Sequence, residues 1–70
     1  MDIIKIANRI KEVRVENKLS QLAFGKLLSV SQDTVSLWEN GKSIPTAESL
    51  ITIATKFDVS VDYILCLKDF

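Results

Sequence analysis

Gln32, Asp33, Ser36, Leu37 and Asn40 all fall in the stretch SQDTVSLWENGKSIP at 31–45. On a helical wheel they share one arc of roughly 140°, and Thr34, Val35, Trp38 and Glu39 share the other. The arc with Val35 and Trp38 faces inward. The outward arc carries short polar side chains where a merely solvated helix favours Lys, Glu and Arg. Gln pairs bidentately with adenine N6 and N7 in a major groove, and Asp can accept from cytosine N4. Ser and Asn reach bases or phosphates, and Leu can touch a thymine methyl. On these residues alone two readings stand: a groove-reading helix, or a surface helix without long charges.

Other chemistry is poorly supplied. The chain has one cysteine, Cys66, and no histidine, so an internal disulfide and a Cys/His zinc site are excluded. The only glycines are Gly25 and Gly41, which do not make a phosphate-binding loop. Without His, a nucleophile needs a Lys or carboxylate base, and no compact cluster of these exists. Catalysis, a metal, a cofactor and a small-molecule ligand are therefore not expected. No apolar run approaches the ~18 residues that span a membrane. The start, MDIIKIANRIKEV, mixes acid with base and does not read as a signal peptide. A cytoplasmic location is expected.

Seventy residues suit one domain, so residues 1–70 are read as a single unit. A domain this small buries only roughly 60% of its unfolded surface. At 47% hydrophobic, the composition supports a packed core without a staple. The periodicity predicts an all-α chain of five short helices. The first spans about 2–17, with Ile3, Ile6, Ala7, Ile10 and Val13 on one arc and Arg14 inside it. The second spans 21–28 after Ser20 as N-cap, burying Ala23, Phe24, Leu27 and Leu28. Its Gly25 costs ~1 kcal/mol of helix propensity, which points to close approach of another backbone. Ser31 caps the third, 32–40, which Gly41 ends as a left-handed residue. Thr46 caps the fourth, 47–57, burying Leu50, Ile53, Ala54 and Phe57. Ser60 caps the last, 61–67. Helices two and three, joined by a turn of a few residues, make a helix-turn-helix unit. In such a unit the second helix sets its N-terminal residues against base edges. Gln21 and Gln32 start the two helices, where backbone N–H groups favour phosphate.

SQ at 20–21, LLSVSQ at 27–32 and TVSLWENGKSIP at 34–45 together resemble the Cro/C1-type helix-turn-helix family of phage and bacterial regulators. IKEVRVENKLSQ at 10–21 is similar to the family's first helix, and ESLITIATKFDVSVDYIL at 48–65 to its last two. The resemblance implies a compact five-helix, lambda-repressor-like DNA-binding domain. It implies a structural ion pair between Arg14 and Glu39, with which the wheels agree. It makes Gln32 the leading base reader, with Asp33, Ser36 and Leu37 lining the groove. It gives Gln21, Ser31, Thr34, Asn40 and Lys42 to the DNA backbone.

Three positions depart from the family pattern. Leu37 replaces a polar or charged contact, Asp33 sets an acid beside phosphates, and Ser29 sits where the turn usually holds Gly. A left-handed backbone at Ser29 would cost ~1–2 kcal/mol. Net charge is zero overall: +1 over 1–16, +1 over 17–45 and −2 over 46–70. The pI of about 6.1 lies far below that of a strongly basic binder. Affinity should lean on dimerisation. The segment 61–70, VDYILCLKDF, is apolar nearly all round and leaves Tyr63, Cys66, Leu67 and Phe70 for a two-fold partner. The expected function is a sequence-specific double-stranded DNA-binding regulator, a dimeric repressor on a near-palindromic operator. The rival is a protein-binding module of antitoxin-like or anti-regulator type on the same scaffold.

Overall fold

The computed structural model describes residues 1–69. Phe70, expected at the dimer face, lies outside the described residues. The elements are α1 (Ile3–Glu16), α2 (Gln21–Leu28), α3 (Gln32–Glu39), α4 (Ala47–Phe57) and α5 (Val61–Ile64), with no strand among the described residues.

The starts of all five helices follow one rule. A short polar side chain accepts from the backbone N–H two or three residues ahead: Asp2, Ser20, Ser31, Thr46 and Ser60. Each such cap contributes about 1 kcal/mol by meeting a donor the helix itself cannot satisfy. Asp2 is thus the cap of α1 and not its first residue, as its extended φ of −101° and ψ of 101° require.

The ends follow one rule too. Lys18, Ser29, Gly41, Asp58 and Cys66 all take positive φ, between 54° and 71°. The residue after each donates its N–H back across the last turn: Leu19 to Arg14 O, Val30 to Gly25 O, Lys42 to Leu37 O, Val59 to Ala54 O, and Leu67 to Asp62 O. This is the Schellman closure, repeated at every helix. Leu19, Val30 and Val59 then pack against the core. The closure explains why α5 stops at Ile64 and not at Leu67. With Cys66 left-handed, the chain turns out of the helix. It also shortens α1 and α3 by a residue at their C-termini, leaving Asn17 and Asn40 as C-caps.

The core gathers Ile6, Ile10 and Val13 of α1, Phe24 and Leu28 of α2, Val35 and Trp38 of α3, Leu50 and Ile53 of α4, and Ile64 of α5. The Phe24 and Phe57 rings stack with centroids 5.3 Å apart. Four expectations of burial need correction. Leu27 is exposed, because only Phe24 and Leu28 of its helix reach the centre. Ala23, Ala54 and Phe57 are half-buried, at the rim of a core too small to enclose every apolar residue.

Gly25 has the close contact its position suggested. A Cβ there would lie 2.7 Å from Val30 O and 3.3 Å from the Ser31 carbonyl carbon. The backbone of the α2–α3 turn folds directly onto α2 at this point, which sets how α3 leaves α2.

Candidate nucleic-acid interface

α3 turns Val35 and Trp38 into the core. Gln32, Asp33, Leu37 and Asn40 are exposed, and Ser36 is half-buried beside them. Leu37 keeps 48% of its surface open, a large apolar side chain standing among polar neighbours. Ser31 is exposed and caps α3 through Thr34 N–H at 3.1 Å, and its Oγ lies 2.9 Å from Thr34 Oγ1. Lys42 follows the helix on the exposed loop. Gln32, Asp33, Ser36, Leu37 and Asn40 therefore share the outward side of α3, with Ser31 and Lys42 beyond its two ends.

Arg14 and Glu39 meet in a two-pronged pair. Arg14 Nε donates to Glu39 Oε2 at 2.7 Å, and Nη2 donates to Oε1 at 3.0 Å. The third nitrogen, Nη1, donates to Leu19 O at 2.8 Å. The side chains are 13% and 4% exposed, so the pair is largely withdrawn from water. The bond to Glu39 raises the Arg14 pKa above its ordinary value, against the opposing effect of burial. Arg14 thus ties α1 to the end of α3 and to the loop before α2. Such a pair adds little net stability, but removing one partner costs about 3–5 kcal/mol by stranding the other charge.

Gln21 joins this pair. Its Nε2 donates to Glu39 Oε1 at 3.2 Å. Its amide is therefore partly engaged inside the domain, holding the start of α2 to the end of α3. The sequence carried no signal for this contact, because Gln21 and Glu39 belong to different helices. Glu39 accepts from both Arg14 and Gln21, so its charge is spent inward.

The C-terminal residues also reach back to α1. Arg9 lies over the Tyr63 ring, 4.1 Å from its centroid. It also donates to Tyr63 O and, at 3.0 Å, to Lys68 O. Tyr63 OH donates to Glu12 Oε1 at 2.6 Å, which, with burial, raises its pKa above that of an ordinary phenol. Cys66 packs against the core. Tyr63 therefore ties α5 to α1, Cys66 is half-buried, and Leu67 is 70% exposed. Arg9 and Glu12 were not singled out by sequence reasoning, since their partner lies more than fifty residues away.

No helix of the structure is long and apolar enough to cross a membrane. No cluster of His, Cys, Asp and Glu among the described residues could hold a metal.

Comparison with known proteins points the same way as the geometry. The "Helix-turn-helix" family model matches residues 10–64. The chain is 33% identical over 60 residues to repressor protein C2 of Salmonella phage P22, covering 86% of this chain and 28% of that protein. It is 36% identical over 55 residues to antitoxin PezA of Streptococcus pneumoniae, covering 79% of this chain and 35% of the other. Among solved structures, the P22 c2 repressor in complex with a synthetic operator superposes with a TM-score of 0.79 at 32% identity. That match covers 84% of this chain and 89% of the repressor chain. This chain spans about a third or less of the two curated relatives' length. The match over residues 10–64, with α2 and α3 joined as described, shows that the chain belongs to the Cro/C1-type helix-turn-helix family of DNA-binding regulators.

Proposed function

We propose that the chain is a sequence-specific, double-stranded DNA-binding transcriptional regulator, acting as a dimeric repressor in the bacterial cytoplasm. The carrying observation is the outward side of α3. Gln32, Asp33, Ser36 and Leu37 are placed there on a scaffold like that of a repressor solved on its operator. Gln32 carries an amide able to bond adenine at two points. Asp33 accepts from cytosine, Leu37 meets a thymine methyl, and Ser31, Thr34 and Lys42 hold the backbone. Gln21 reaches phosphate with what its bond to Glu39 leaves free. Arg14 and Glu39 fix the angle of α3 and do not touch DNA. Residues 61–70 supply the dimer contact through Leu67 and Phe70, so that two α3 helices address a near-palindrome roughly 34 Å apart.

Selection from random duplexes tests this, run on the folded chain with Gln32→Ala alongside. The expected result is an enriched near-palindrome, with Gln32→Ala losing about 5- to 100-fold discrimination at defined adenines. A second reading, a protein-binding module, draws on the zero net charge, Asp33 and the likeness to an antitoxin. Failure of the folded wild type to enrich any site at low salt would favour that reading.

A further inference from the structure

Ser36 and Asn40 stand one turn apart on α3. Asn40 Nδ2 donates to Ser36 Oγ at 3.1 Å. A serine hydroxyl has one proton and two lone pairs, and Asn40 occupies a lone pair. Helical Ser and Thr residues often spend the proton on the carbonyl four residues back. Thr52 and Thr55 do this in α4, donating to Glu48 O at 3.0 Å and Ile51 O at 2.8 Å. Ser36 makes no such bond among the described residues. Its proton and its second lone pair are left for whatever lies against α3.

Resting on the DNA reading above, we infer that Asn40, by occupying one of the two Ser36 lone pairs, is a positioning residue that biases Ser36 towards donating in the major groove. A base that offers Ser36 an acceptor is then favoured. Guanine O6 and N7, adenine N7 and thymine O4 qualify, whereas cytosine shows only its N4 donor. Asn40 thereby sets specificity without touching a base. One of its two amide protons is turned to its own helix, and the other is left for the phosphate contact expected of it. Without Asn40 both lone pairs would be free to accept, and cytosine would be better tolerated.

The test is position-resolved selection with the wild type, Ser36→Ala, Asn40→Ala and Asn40→Asp, each verified as folded by circular dichroism. Ser36→Ala locates the position by flattening the preference there. The wild type should disfavour cytosine at that position by about tenfold. Asn40→Ala should cut that bias to within about threefold, leaving the Gln32-dependent positions unchanged. In Asn40→Asp the carboxylate takes the Ser36 proton and exposes its lone pair, so cytosine should become preferred. A wild-type preference for cytosine, or profiles indifferent to both Asn40 variants, would overturn the inference while leaving DNA binding intact. A wild type that enriches no site would overturn the DNA reading and this inference together.

Discussion

Among the described residues, Ser29 is one of four non-glycine residues held in a left-handed backbone. Its φ of 59° and ψ of 38° place it fully in the left-handed region, so the turn does not relax to suit a side chain. Lys18, Asp58 and Cys66 accept the same conformation at their helix ends, and Gly41 alone is the residue type that suits it. A non-glycine residue costs about 1–2 kcal/mol there, partly offset by glycine's greater freedom in the unfolded chain. Ser29→Gly should therefore stabilise by about 0.5–1 kcal/mol. Thermal unfolding should show the midpoint rising by about 3–6 °C. A lower midpoint would mean that the Ser29 side chain makes a compensating contact.

Between elements, the α2–α3 turn is held at two places. Inside it, Val30 N–H donates to Gly25 O at 2.9 Å while Val30 O crowds the Gly25 Cα. At the far ends of the two helices, Gln21 and Arg14 converge on Glu39. Gly25→Ala tests the first hold. Alanine gains helix propensity, but its Cβ would sit 2.7 Å from a backbone oxygen, so the turn must open. A net loss of about 1–2 kcal/mol is expected in denaturant unfolding, in the range of overpacked cores. DNA affinity should fall by more than stability does, because α3 is displaced as a unit. Equal stability with unchanged affinity would show that the turn yields without moving α3.

For the whole molecule, charge and assembly are linked. With Glu39 engaged by Arg14 and Gln21, the α3 side is more basic than the zero total implies. Lys42 is the cation closest in sequence to that helix. Few phosphates are neutralised by each copy, so a single copy should hold DNA weakly. A dimer contacting about two phosphates per protomer should give a log–log salt slope of about −4. Leu67, 70% exposed beyond α5, is the described apolar residue best placed for the partner. Leu67→Asp should sediment as a folded monomer and bind the selected site at least about tenfold more weakly. An unchanged dimer would move the interface elsewhere.

The helices, their starts and the inward side of α3 were legible in the sequence because each is local. A cap needs one polar residue beside its own helix, and an apolar stripe needs only a period of 3.6. Gly25 announced its close contact because glycine inside a helix needs a reason. The pairing of Arg14 with Glu39 was reachable because each stood out on its own wheel and family resemblance joined them. Tertiary structure decided what depends on distant partners. It drew Gln21 onto Glu39, wrapped Arg9 over Tyr63 and tied the Tyr63 hydroxyl to Glu12. It placed Leu27 outside a core that Phe24 and Leu28 had already filled. The end of α5 belongs to the same class. No glycine marks the left-handed Cys66, and the bond from Leu67 to Asp62 closes the helix against the residue-type preference. Sequence determined which residues could read a groove; packing determined which of their atoms remain free to do so.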